Sequence, residues 1–160
     1  MLSGTVDQYI GRSVDMMAFD GMQATGDRQL IQTLVVPGGS GALHTGIQKL
    51  AHRFLIELIT VQGSLQYLPT RGTPFMEDAF RGAWRTAADV QSSFSLAKFI
   101  LKQNLQGEES PDDPDDERYA DAEMLNIFIE ADSVSISVRV ISLAGSSIDI
   151  IFPIRVNVVR

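Results

Sequence analysis

The C-terminal part of the chain constrains the fold most, because apolar and polar residues alternate there over two consecutive segments. Between residues 134 and 140 every second position is valine or isoleucine, and serines and Arg139 occupy the positions between them. A period of two is typical of a strand that buries one face and exposes the other. Ala144-Gly145-Ser146 supplies a turn, and residues 148–154 form a second apolar segment. The sequence therefore predicts an antiparallel hairpin, and Pro153 places its second strand at a sheet edge or near a strand end.

Two amphipathic helices are predicted before this hairpin. From Leu43 to Thr60 the apolar residues recur with a period of about 3.6, which forms one apolar stripe along a helix. The other face of that helix carries polar residues, among them His44, His52 and Glu57. A second helix is predicted from Ala87 to Leu105. Because the helices precede the strands without βαβ alternation, the predicted class is α+β: two main helices packed on a small antiparallel C-terminal β meander, with an extended N-terminal arm.

The chain divides by composition into an arm and a body. Residues 1–41 are predicted to be an N-terminal arm and a first strand, the latter over Leu30–Val36. Residues 42–160 are predicted to be one α+β domain with an acidic loop at 106–118. Seven acidic residues and no basic one lie between Glu108 and Glu117, in a chain with 13 basic and 20 acidic residues. We expect this loop to be solvated and to face a basic patch on a partner.

The composition argues against several classes of function. A net charge of −7 disfavours nucleic acid and anionic membranes, because binding phosphates requires clustered cations. Zero cysteines exclude disulfides and thiolate chemistry, and only two histidines argue against a multi-histidine metal site. The glycine-rich run at 38–41 lacks the lysine of a phosphate-binding loop. No cofactor, metal site or catalytic residue is therefore expected.

Paired carboxylates leave one enzymatic alternative open. Glycoside hydrolysis needs only two carboxyl groups, one of them with a pKa raised by burial, across a cleft of fixed width. The candidates are Glu57, Glu77, Asp78, Asp121 and Glu123. Neither a cleft nor a raised pKa is visible in a sequence, so a lysozyme-like glycan hydrolase is one alternative function, and a regulatory adaptor on the same small α+β scaffold is another.

A set of short motifs, taken in order and spacing, resembles a known family. The motifs are Thr45-Gly46-Ile47-Gln48-Lys49-Leu50-Ala51-His52-Arg53, Leu58-Ile59-Thr60, Gly63-Ser64 with Tyr67 and Pro69, Gly72-Thr73, Asp116-Glu117-Arg118, Ala122-Glu123-Met124-Leu125, Ser135–Val140 and Ile148–Pro153. Over residues 42–154 the chain resembles the gene-25-like baseplate wedge proteins of contractile phage tails, which have relatives in type VI secretion baseplates. The family often carries a Glu-Pro-Arg triplet, whereas here Glu117 and Arg118 are adjacent and the nearest proline is Pro114.

The resemblance implies a structural virion protein that initiates the tail sheath. Such a protein is assembled in the host cytoplasm, sits in the tail baseplate, and offers a β sheet to which arms of the sheath protein add strands. Its implied partners are the tail sheath protein and other baseplate wedge proteins, with tail tube or hub proteins as further candidates. No nucleic acid and no membrane is implied.

The implied partner-binding residues fall in two groups. Those for sheath strand addition are Val134, Ser135, Ile136, Ser137, Val138, Arg139, Val140, Ile148, Ile150, Phe152 and Ile154. Those of the arm and tail that would contact wedge proteins are Met16, Met17, Phe19, Val156 and Val158. An exposed strand offers unpaired backbone N–H and C=O groups, which is the property that strand addition requires.

Overall fold

The computed structural model describes Arg12, residues 15–16 and residues 43–155. The predicted strand Leu30–Val36, the arm residues Met17 and Phe19, and the tail residues Val156 and Val158 lie outside the described residues. In chain order the elements are β1 (Asp15–Met16), β2 (Leu43–His44), α1 (Ile47–Ile59), α2 (Phe75–Phe80), α3 (Ala87–Glu108), β3 (Tyr119–Ile129), β4 (Ser133–Ser142) and β5 (Ser147–Arg155). Helices followed by an antiparallel meander confirm the α+β class.

Helix α1 carries the predicted apolar stripe but begins four positions later than predicted. Leu43 and His44 instead form β2, which pairs antiparallel with β1. The break falls at Gly46, whose φ of 64° is a conformation that glycine adopts without a steric penalty. Leu50, Ala51, Phe54, Leu55 and Leu58 of the stripe are buried, and α1 contacts the sheet and α3.

Helix α3 begins at a capping box and runs past its predicted end. The Thr86 hydroxyl accepts a hydrogen bond from the Asp89 backbone N–H, and the Asp89 carboxylate accepts one from the Thr86 N–H. These reciprocal bonds satisfy backbone donors that the first turn of a helix leaves unpaired. The helix continues through Glu108, so the first part of the predicted acidic loop is helical. Val90, Phe94, Ala97, Leu101 and Leu105 form its buried face.

The three long strands form one antiparallel sheet in the order β3-β4-β5. On β4 the buried and half-buried residues alternate over the whole strand, as the period-two sequence pattern predicts. Val134, Ile136, Val138 and Val140 are fully buried and face the helices. The core therefore lies between one face of the sheet and the pair α1 and α3, and aromatic contacts such as the stack of Phe54 on Tyr119 help to fill it.

Candidate functional site

The structure separates the predicted strand-addition residues into two groups with different access. Strand β4 lies in the middle of the sheet and is paired with β3 on one side and β5 on the other. The backbone groups of residues 134–140 are therefore already used within the sheet, and of the two predicted strands only β5 has an edge that a partner could pair with. Ile148, Ile150, Phe152 and Ile154 of β5 are buried and face the core. Strand β5 can thus contribute its backbone edge, and not these side chains, to a partner.

The direction of the β5 backbone groups follows from one hydrogen bond and one proline. Next to the turn, Ser142 N–H donates to the Ser146 carbonyl at 2.9 Å. Antiparallel ladders alternate between hydrogen-bonded and non-hydrogen-bonded pairs, so the even-numbered residues of β5 bond to β4. The backbone N–H and C=O groups of the odd-numbered residues point away from β4, toward the outer edge of the sheet. Pro153 is one of these, and a proline is tolerated there because its missing N–H would not face β4.

The outer edge of β5 is open among the residues that the structure describes. No strand within 43–155 pairs with it. The alternation leaves the N–H groups of Asp149 and Ile151 directed outward, together with the carbonyl groups of the odd-numbered residues. A short extended segment can therefore gain main-chain hydrogen bonds by lying beside Ser147–Ile151, whereas Pro153 removes the next donor along the edge.

The opposite edge of the sheet, β3, is protected by its own neighbours. Tyr119 N–H donates to the Glu109 carboxylate at 2.7 Å, and the Gln106 side chain donates to the Tyr119 carbonyl at 3.1 Å. Further along, Ile127 N–H donates to the Asn126 side chain at 2.9 Å. The β3–β4 register also shifts twice, and such bulges bend an edge away from further pairing. Strand β5 is therefore the better edge for strand addition.

The helix-free face of the sheet is marked by a bidentate ion pair. Arg139 on β4 donates to both carboxylate oxygens of Asp149 on β5, at 2.7 and 3.0 Å. These hydrogen bonds lower the pKa of Asp149. The two residues are register partners, so the pair favours the observed alignment of β5 beside β4. Ser135 and Ser137 lie on the same face and are half-buried.

Glu57 is buried, and its prediction as a residue of the polar helix face was wrong. Its side chain is 3% exposed and accepts hydrogen bonds from Arg71 at 2.9 and 3.0 Å, from Gly72 N–H at 2.8 Å and from the Asn104 amide at 2.6 Å. These donors fix the loop after α1 against α1 and α3. Gly72 has a φ of 87°, and a Cβ there would collide with the backbone oxygen of Thr60.

Glu117 is the second buried carboxylate, so the prediction of a solvated acidic loop is wrong at this residue, whereas Glu108, Asp112 and Asp115 are exposed. It is 3% exposed and accepts hydrogen bonds from the Thr45 hydroxyl at 2.6 Å, from Gly46 N–H at 3.1 Å and from Lys49 at 2.9 Å. Helix α1 has no side-chain cap of its own, so Glu117 supplies the anion at its N-terminus. Burial acts to raise the pKa of Glu117, but the hydrogen bonds from Thr45, Lys49 and Gly46 outweigh burial and lower that pKa.

Three of the remaining candidate carboxylates have neighbouring side chains as partners. Asp78 accepts a hydrogen bond from Ser93 at 2.6 Å, Asp121 pairs with Lys98 at 2.8 Å, and Glu77 pairs with Arg81. A shallow groove of about 270 Å³ lies between α3 and β3. It is lined by Ala87, Gln91, Met124, Leu125, Asn126 and Ile127, with no carboxylate among them.

Neither a metal site nor a membrane span stands out in the described part of the chain. Within it, no group of three or more histidine, aspartate or glutamate side chains is placed to hold a metal ion. His52, predicted at the surface, is instead 3% exposed. None of the helices formed by the described residues is long and apolar enough to cross a bilayer.

Comparison with known proteins identifies no relative of this chain. No family model, no curated protein and no solved structure matches this chain.

Proposed function

We propose that this protein is a structural assembly component that offers the outer edge of β5 for strand addition by another chain. The observation that carries the proposal is the difference between the two sheet edges. One edge is blocked by bulges and side-chain hydrogen bonds, and the other presents outward N–H and C=O groups over Ser147–Ile151. The buried face of β5 and its pairing with the central strand β4 hold that open edge in place.

The resemblance to gene-25-like wedge proteins supplies the identity of the partner in this proposal. In that reading the protein belongs to the baseplate of a contractile tail, and arms of the tail sheath protein add strands to β5. Other wedge proteins would contact the N-terminal arm and the C-terminal tail. Of the arm residues, Met16 lies in β1 and pairs with Leu43. A sheath initiator needs an ordered edge before its partner arrives, and the pairing of β5 with β4 supports that requirement.

The glycan-hydrolase alternative has no comparable support. Its best candidate acid, Glu57, accepts hydrogen bonds from Arg71, Gly72 and Asn104. A general acid must instead reach a substrate oxygen from a cleft. Glu57 is 3% exposed and lies beneath the loop after α1, where its oxygens accept these hydrogen bonds.

The experiment that tests the proposal removes one outward N–H and leaves the sheet intact. In Ile151→Pro the lost donor is one that β4 does not use, and Pro153 shows that this side of the strand tolerates proline. The variant is co-expressed with its cognate sheath protein, and the complex is measured by co-purification and by electron microscopy of sheath-like tubes. Losing one bond and stranding its acceptor on the partner costs about 1–3 kcal/mol, which weakens binding roughly 5- to 150-fold.

The matched control is Ile151→Ala, which removes the side chain and keeps the N–H. We expect it to bind sheath more tightly than Ile151→Pro does. Circular dichroism and thermal unfolding establish that both variants fold. Deleting β4 and β5 would be a poor test, because eight of their side chains belong to the buried core. Equal binding by the two folded variants would contradict strand addition at this edge.

A further inference from the structure

The C-terminal end of the acidic loop, at Asp116 and Glu117, contacts Arg12 of the N-terminal arm. Arg12 Nη1 lies 2.7 Å from Asp116 Oδ2 and 3.8 Å from Glu117 Oε1. Arg12 and Asp116 are separated by 104 positions in the chain. The two acidic residues thus hold a cation from the start of the chain rather than facing only solvent.

Glu117 also holds the segment between β2 and α1. Glu117 accepts hydrogen bonds from the Thr45 hydroxyl and from Gly46 N–H, immediately after β2. Strand β2 in turn pairs with β1, so that Met16 lies opposite Leu43 and Asp15 opposite His44. Met16 and Leu43, which are distant in the chain, therefore lie side by side next to this site.

Gly46 allows these groups to approach one another. A Cβ at this position would lie 2.9 Å from Asp116 Oδ2 and 3.3 Å from Arg12 Nη1. Its φ of 64° also favours glycine. Arg12, Gly46 and Asp116 are consequently packed in direct contact, which a chance surface ion pair would not require.

We infer that Asp116 and Glu117 form an electrostatic latch that anchors the N-terminal arm to the body at Arg12 and next to β2. Asp116 holds Arg12, and Glu117 holds Thr45 and Gly46. Arg12 and Asp116 are 31% and 29% exposed, so water and ions reach the outer half of the latch. High salt, or a partner that presents arginine or lysine to Asp116, opens that half, while Glu117 keeps α1 in place. The inference is independent of strand addition at β5.

The test measures the distance between the arm and the body by electron–electron double resonance. Because the chain has no cysteine, spin labels attach only at the introduced Asp15→Cys and Ala88→Cys. Ala88 is exposed in the first turn of α3 and serves as a fixed reference. A second labelled pair, Ser147→Cys with Ala88→Cys, reports on the body alone. Arg12→Gln and Asp116→Asn are introduced separately into both labelled proteins.

Each substitution is expected to broaden the 15–88 distance distribution at least about twofold and to leave the 147–88 distribution unchanged. The charge swap Arg12→Asp with Asp116→Arg is expected to narrow the 15–88 distribution again. Asp149→Asn, which breaks the Arg139–Asp149 ion pair of the sheet instead, is the matched control and should have no effect. The inference is overturned if Arg12→Gln and Asp116→Asn leave the width of the 15–88 distance distribution unchanged. It is also overturned if the distribution of the charge-swap protein is no narrower than those of the single variants.

A salt series on the unsubstituted latch keeps the test decisive if a variant fails to fold. Raising the ionic strength from about 0.05 M to about 1 M shortens the screening length to about 3 Å. The 15–88 distribution should then broaden while the 147–88 distribution stays the same. A salt-independent width would also overturn the inference.

Discussion

Glu57→Gln is the substitution that tests the buried ion-pair network most sharply. It keeps the size of the side chain and replaces one carboxylate oxygen by an NH₂ group. The carboxylate accepts from Arg71, Gly72 N–H and Asn104, all at 3.0 Å or less. The amide retains one acceptor oxygen, so at least one of these donors loses its partner and faces another donor.

The cost can be worked out from the burial of the partners. Removing one member of a buried ion pair typically costs about 3–5 kcal/mol. Arg71 is 22% exposed and can recover part of its hydration, which places the expected cost near the lower end, at about 3 kcal/mol. Small domains have a total stability of about 5–15 kcal/mol, so this loss is a large fraction of the whole.

The assay is equilibrium urea unfolding followed by circular dichroism, with both proteins measured at the same pH and salt. The matched control is Glu108→Gln, because Glu108 also contacts Arg71 but is 49% exposed. That control should cost no more than about 1 kcal/mol. If Glu57→Gln lost less than about 1 kcal/mol, or no more than the control, the network would not be holding the loop and the reasoning would be refuted.

Two further predictions concern Glu117 and Gly72. The pKa of Glu117 is lowered below its ordinary value of 4.5 in the folded protein, so the stability it contributes is present above that value and is lost as the pH falls through the folded pKa. Urea midpoints measured from about pH 7 to about pH 3 should therefore fall less steeply for Glu117→Gln than for the unsubstituted protein. Identical slopes would contradict the role of Glu117 as the cap of α1. Gly72→Ala should lower the free energy of unfolding by more than Gly63→Ala does, because both glycines have positive φ but only a Cβ at position 72 meets backbone atoms. The cost of the left-handed conformation alone is about 1–2 kcal/mol for either variant. Equal losses of stability for the two variants in urea unfolding would show that the collision at position 72 is relieved.

Much of the fold follows from periodicity in the sequence. The alternation over residues 134–140 predicts which side chains of β4 are buried, since a period of two fixes the face of every residue once one face is in the core. The stripe in α1 does the same for that helix. Position within the sheet does not follow, because alternation determines the two faces of a strand and carries no information about its lateral neighbours. For that reason the sequence could not show that β4 is central and β5 is at the edge.

The buried charges were missed for a related reason. A helical period assigns Glu57 to a polar face, but its partner Arg71 comes from the following loop and covers that face. Glu117 lies in an acidic run whose composition resembles solvated segments, although it caps a helix that begins 70 positions earlier in the chain. One signal in the sequence does point to it, since α1 starts after Thr45-Gly46 without an acidic residue in its first turn. A helix without an acidic residue of its own at the N-terminus is stabilised by an anion from elsewhere in the chain.

The central claim, strand addition at β5, is tested most directly by hydrogen exchange of single backbone amides. The N–H groups of Asp149 and Ile151 point outward, whereas those of Ile148 and Ile150 bond to β4. On addition of the sheath protein, the account predicts that exchange at Asp149 and Ile151 slows at least about tenfold, while exchange at Ile148 and Ile150, already slow, changes little. A stable complex in which the Asp149 and Ile151 amides exchange as fast as in the free protein would contradict it.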